Sequence, residues 1–260
     1  VENYRPGTME KLGYGWESLS KKYPKLVYAS CSGFGKTGPW SSKPAYDMIV
    51  QGIGGIMSLT GHEGQDPVRV GTSIGDIVAG IFTVVGILSA LIDKKNNKKS
   101  QLVDISMLDC QIAILENAIS RYFSTGISPG KNGSRHPSIA PFECYKTKND
   151  FILIAAGNDQ LFKNLCNALK YPQLTRDKRF ISNIDRMNNV ESLKKELEKI
   201  LKLKTTNEWI SIIENKGVPV GPLNNIEKAV TSEQVIARNM IVNIKDSNSE
   251  TIKIAGNPIK

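Results

Sequence analysis

At 260 residues and 40% hydrophobic, the chain is long enough to bury a full core, as one large or two modest domains. Its net charge of +9 invites a nucleic-acid reading, but the lysines are scattered and no aromatics interleave with them as stacking platforms. A Lys- and Asn-rich composition explains most of that charge, and a phosphate-bearing substrate would gain from the positive field. The four cysteines, Cys31, Cys110, Cys144 and Cys166, stand far apart with no CxxC pair and no histidine at ligand spacing. That spacing argues against a metal and for a reduced, cytosolic setting.

The chain opens at Val1 and closes on "KIAGNPIK" as a piece of a longer protein would. Its first residues do not read as a signal peptide, which leaves open one further upstream, and the expected location is the cytoplasm, or the mitochondrion if the source is eukaryotic. "NYRPGTMEKLG" at 3–13 reads as a Pro-Gly turn leading into a helix, with Asn3 and Arg5 as polar groups at the turn. "WESLSKKYP" at 16–24 predicts a short amphipathic helix and "KLVYASCS" at 25–32 a buried strand, an α/β alternation.

"SCSGFGKTGPW" at 30–40 contains the Gly-Lys-Thr of a phosphate loop. Ser30 stands where that motif needs its first glycine, and Gly38-Pro39 follows where its helix must begin, so a phosphate loop is rejected. The glycines instead predict a tight turn at the carboxyl end of a strand, where open α/β sheets place their ligands. "PAYDMIVQGIGGIMSLTG" at 44–61 reads as a helix that loosens at Gly52, Gly54 and Gly55.

The turn "VGTSIGD" at 70–76 leads into "IVAGIFTVVGILSALI" at 77–92, sixteen residues without a charge, ahead of Asp93 and the basic run "KKNNKK". A bilayer needs about 20 apolar residues, so this segment predicts a helix buried inside a domain and no membrane span. Asp76 at its amino end is either an N-cap, where free N–H groups and the dipole favour negative charge, or a nucleophilic carboxylate held at a rigid point.

"KSQLVDISMLD" at 99–109 predicts a strand running into a helix; Asp104 and Asp109 are further candidate carboxylates, though Asp104 simply alternates with apolar neighbours on the strand and Asp109 fits a solvated helix face. From 124 to 137 Gly, Ser and Pro accumulate around Arg135 and His136, which predicts a linker or binding loop between two domains. Beyond it come a hairpin turning at Asn149-Asp150, three amphipathic helices, a Pro-Gly crossing at "VPVGPL" and a closing strand, "MIVNIKD".

Four stretches, "ENYRPG", "SGFGKTGPWSSKPAYD", "SIGD" and "GVPVGPL", occur in the order and at the intervals of one family. Together they resemble the class III (family III, CaiB/BaiF-type) CoA-transferases, and "HPSIAPFECY" is similar to the succinyl-CoA:dicarboxylate branch. The resemblance implies an α/β fold: a Rossmann-like large domain at 1–123, a linker or active-site loop at 124–137, a small α+β domain at 138–245, and a return segment starting at 246–260. It implies that Asp76 is the nucleophile and that Asn3, Tyr4, Arg5, Lys11, Pro44, Ala45, Tyr46 and Asp47 contact CoA. Tyr46 and Asp47 would line one pocket with Asp76. It also implies acyl-CoA and a small carboxylic acid as substrates, no resident cofactor or metal, and an interlocked homodimer of the intact protein. Arg69, Arg135 and His136 are candidates to receive a second carboxylate. The racemase branch of the family needs a His-Asp pair and a Glu as bases, and this chain has Tyr46 and Asn158 at those places.

Overall fold

The computed structural model describes residues 1–94, 97 and 99–260, so part of the basic run at 94–99 lies outside the described residues. The chain divides into two compact units, Val1–Gly133 and Ser134–Lys260, with the boundary inside the segment read as a linker.

The first unit runs α1 (Thr8–Lys11), α2 (Trp16–Lys22), β1 (Val27–Ser32), α3 (Asp47–Ile53), α4 (Ile56–Leu59), α5 (Ile74–Asp93), β2 (Gln101–Ser106), α6 (Met107–Ala113) and α7 (Glu116–Thr125). Strands β1 and β2 are parallel, in register from Val27 opposite Gln101 to Ser32 opposite Ser106. Parallel strands need a long crossover, and here it carries α3, α4 and α5. Glu2 bridges to Ser30 as a further parallel rung. The helix read at 44–61 breaks as its glycines predict, with Gly55 in the left-handed region at φ 89° between α3 and α4.

Helix α5 corrects one expectation. Gly75, Val78, Ala79, Thr83 and Ala90 are buried, and Gly86 lies so close to β2 that a Cβ there would be 2.5 Å from Val103 Cγ1. This small-residue stripe lets the helix backbone approach the strands. Ile77, Ile81, Val84, Val85, Leu88, Leu91 and Ile92 are exposed. A sequence apolar around its whole circumference fills two faces, and the described residues of this chain supply a partner for one. By length and composition the 20-residue helix could cross a membrane, which the sixteen-residue count did not anticipate.

The second unit runs β3 (Phe142–Lys146), β4 (Phe151–Ala155), α8 (Asp159–Ala168), a 3-10 turn (Pro172–Arg176), α9 (Asn183–Asn188), α10 (Val190–Leu201), α11 (Thr206–Glu214), β5 (Val220–Pro222), α12 (Ile226–Val230), α13 (Glu233–Ala237), β6 (Ile241–Lys245) and β7 (Thr251–Ala255). Strands β3, β4 and β5 form an antiparallel sheet, and β7 folds back on β6 as a hairpin. The alternation along β3 and β4 turns Tyr145, Ile152 and Ile154 inward, into one core with Phe162, Leu165, Leu193, Leu197, Leu201, Trp209 and Ile213 from the amphipathic helices. Capping boxes at Ser182/Asp185 and Thr205/Glu208 fix where α9 and α11 begin.

Arg186 is fully buried in this unit. Its guanidinium donates to Ala140 O at 2.6 Å, Phe180 O at 3.2 Å and Asp159 Oδ1 at 2.7 Å, and it lies over the Phe162 ring. It therefore supplies donors to carbonyls that the loops flanking the core leave unpaired. Arg186→Met keeps the apolar stem and removes those donors. Each stranded buried acceptor costs about 1–3 kcal/mol, so urea denaturation should show a loss of roughly 3 kcal/mol or more.

Candidate active site

Asp47, the first residue of α3, is buried, and its carboxylate organises the start of α5. Oδ1 accepts the Gly75 N–H at 2.8 Å, and Oδ2 accepts Gln51 Nε2 at 2.8 Å and faces Arg69 Nη1 at 3.7 Å. Gln51, one turn further along α3, accepts the Val70 N–H at 2.9 Å through Oε1. Two side chains on one helix face thus hold both ends of the 70–75 turn. Gly75 has to be glycine because a Cβ there would stand 2.8 Å from Val50 Cγ2 and 3.0 Å from Asp47 Oδ1.

Asp76 follows this pinned turn in the first turn of α5. It is not the cap: Ser73 occupies the cap position without a side-chain capping bond, and Asp47 serves the Gly75 amide from another helix. Among the described residues the Asp76 carboxylate accepts no hydrogen bond and forms no ion pair. A helix amino terminus ordinarily favours the charged acid, yet partial burial and, after it, the Asp47 charge raise the Asp76 pKa. Asp76 also acts on Cys31 near the end of β1. There burial pushes the thiol up, a Thr83 hydrogen bond opposes the rise, and Asp76, Glu2 and Asp104 add to it.

The turn after β1 is built as the glycines predict. Gly35 and Gly38 take φ 78° and 84°, and no helix begins before Asp47. Ser32 Oγ accepts the Gly35 N–H at 3.0 Å, and the Asp104 carboxylate accepts the Lys36 N–H at 3.0 Å. The amides that a phosphate loop would aim at its ligand are committed to these partners, which gives Asp104 a structural role. A cavity of about 440 Å³ opens beside this turn, lined by Glu2, Tyr4, Arg5, Glu10, Lys36 and Ser42 among others.

Of the residues expected to meet CoA, Tyr4 and Arg5 line the cavity, whereas Asn3, Lys11, Pro44, Ala45, Tyr46 and Asp47 do not. Asn3, Lys11 and Pro44 are exposed, and Ala45 packs against Gly33, where a Cβ would lie 2.5 Å from its own Cβ. Tyr46 is 76% exposed, Asp47 is engaged inside the protein, and neither they nor Asp76 line this cavity. Lys36, which sequence reasoning passed over on rejecting the phosphate loop, lines the cavity and pairs with Glu10 at 3.4 Å. Its position in a glycine turn at a strand's carboxyl end was the signal available.

In the second unit Arg135 pairs with Glu191 at 3.2 Å. His136 stacks on Phe142 with ring centroids 5.1 Å apart, and its Nδ1 accepts the Ser138 N–H at 3.2 Å. Asn158 caps α8 by accepting the Leu161 N–H at 2.9 Å. These contacts give all three residues local structural work.

The sequence model of CoA-transferase family III matches residues 1–260. The chain belongs to that family. It is 43% identical over 261 residues to the acetyl-CoA:oxalate CoA-transferase of Acetobacter aceti, covering 100% of this chain and 66% of that protein. It is 31% identical over 260 residues to the succinyl-CoA:glutarate CoA-transferase of Homo sapiens, covering 100% of this chain and 59% of that protein. The chain thus spans about three-fifths to two-thirds of the length of these relatives. A solved CaiB/BaiF family structure from Brucella suis is 33% identical with a TM-score of 0.82, over 99% of this chain and 71% of that one. As a family III fold, the first unit carries Asp76 and the glycine turn on one α/β layer.

The pinned turn generates a prediction. Gly75→Ala forces a methyl against Val50 and Asp47, so the family III protein should lose about 1–3 kcal/mol of stability, the usual cost of overpacking. Thermal melts check this, and a variant of unchanged melting temperature would show that the turn has room to move.

Proposed function

We propose that the intact protein is a CoA-transferase that moves CoA from an acyl-CoA donor to a carboxylic acid through Asp76. One observation carries this reading. Asp76 is a carboxylate on a rigidly pinned turn, with no capping duty and no hydrogen-bond partner among the described residues, and with a raised pKa. A residue kept in that state at a cost in stability is what a nucleophile requires.

The chemistry balances without ATP or metal. The Asp76 carboxylate attacks the thioester carbonyl, forming an acyl-aspartyl anhydride and expelling the CoA thiolate. The thiolate attacks the aspartyl carbonyl, which gives an aspartyl-CoA thioester and frees the donor acid. The acceptor carboxylate attacks that thioester and again releases the thiolate, leaving an anhydride with Asp76. Attack of the thiolate on the acceptor's acyl carbon yields the new acyl-CoA and restores Asp76. Anhydride and thioester are close in energy, so each step is reversible.

The cavity beside the β1 turn, with Arg5 and Lys36, is the place on this chain suited to the phosphates of CoA. Oxalate and glutarate, for which these two relatives are named, are dicarboxylic acids, which supports the same class here. The uncovered apolar face of α5 supports a homodimer of the intact protein, where that face would be buried.

Asp76→Asn tests the nucleophile. An amide forms no acyl anhydride, so turnover should fall by about four orders of magnitude or more. The native state holds the Asp76 proton more tightly than the unfolded chain does. The group therefore favours folding below about pH 4, and that contribution is lost as pH rises through its raised pKa. At neutral pH Asp76→Asn should melt at or above the wild-type temperature. An active variant, or an inactive one that is strongly destabilised, would contradict the reading.

A further inference from the structure

We propose that Arg69 binds the second carboxylate of a dicarboxylic acid acceptor, and so sets the acceptor class. This rests on the CoA-transfer reading above and deepens it. Asp47 places Arg69: one carboxylate oxygen holds the Gly75 N–H next to Asp76, and the other faces Arg69 Nη1 at 3.7 Å. That separation is an ion-pair contact too long for a hydrogen bond. Arg69 donates no hydrogen bond among the described residues, and its side chain is 48% exposed.

A guanidinium has five N–H donors in a planar fork, so this single contact leaves a pair for a carboxylate to take at once. The backbone beside it is fixed, because Gln51 accepts the Val70 N–H. The main chain that carries Arg69 is thus ordered before a ligand arrives, which lowers part of the cost of binding. Charge requires a cation here. A dicarboxylate brings two negative charges to a turn that already holds Asp47 and Asp76, and Arg69 offsets one of them.

Two of the other candidate cations are engaged. Arg135 pairs with Glu191. Lys131 Nζ donates to the backbone carbonyls of Gln65 and Asp66.

The test uses the intact protein with one acyl-CoA donor and matched acceptors: oxalate against formate, succinate against butyrate, and glutarate against valerate. For the preferred pair, Arg69→Gln should lower the ratio of kcat/KM for the diacid to that for the monoacid by roughly ten- to hundredfold, the value of hydrogen bonds to a charged group. The change should fall mainly on the diacid's KM, and Arg69→Lys should restore part of it. Equal losses for diacid and monoacid would show a purely structural role and overturn the proposal. So would a wild-type protein with no preference for any diacid. Those outcomes leave CoA transfer standing. Failure of the wild type to transfer CoA to any acid, with no acyl adduct on Asp76, would overturn the underlying reading and this inference together.

Discussion

The site depends on one buried carboxylate. Asp47 accepts the Gly75 amide and the Gln51 amide while facing Arg69, and it thereby ties α3, the 70–75 turn and the start of α5 together. A buried carboxylate with fewer partners would be costly, and here two hydrogen bonds and a cation meet that cost. Burial first, and then the same Asp47 charge, raise the pKa of Asp76. Asp47 thus fixes the neighbouring acid in space and disfavours its charged form. A group disfavoured in the resting state is readier to change when a substrate arrives.

Helix α5 transmits this constraint to the sheet. Its stripe of small residues at Gly75, Ala79, Thr83, Gly86 and Ala90 brings the backbone onto β1 and β2. The nucleophile candidate therefore stands on the helix that packs against both strands of the first unit. The opposite face, from Ile77 to Ile92, is apolar and exposed. Single exposed apolar residues are common, but a continuous stripe of them marks a surface built for burial. The second unit is organised differently, around Arg186 and a closed apolar core, with its own capped helices.

Much of this was legible in the residues. The Asn149-Asp150 turn marked the β3–β4 hairpin, period-3.6 patterning placed the helices of the second unit, and the glycines at 52–55 marked the break after α3. The order of four short motifs pointed to the family. Local patterns, however, do not report which side of a helix finds a partner, so the burial of α5 was overestimated. Asp76 also looked like a cap, because Gly-Asp before an apolar run is what a cap looks like. The residue that takes the Gly75 amide is 28 positions upstream, a long-range contact that spacing does not reveal. Asp47 was assigned to CoA from the family resemblance, and its bond to the Gly75 amide is equally invisible to spacing. Lys36 was lost because a correct rejection of the phosphate loop removed attention from the turn that carries it.

The central claim is that Asp76 becomes covalently acylated, and trapping tests it most directly. The intact protein is incubated with an acyl-CoA donor it turns over, quenched with hydroxylamine, digested and sequenced by mass spectrometry. A hydroxamate on Asp76, dependent on the donor, is the predicted result. Turnover with Asp76 unmodified, or a hydroxamate on another carboxylate such as Asp47 or Asp104, would contradict it.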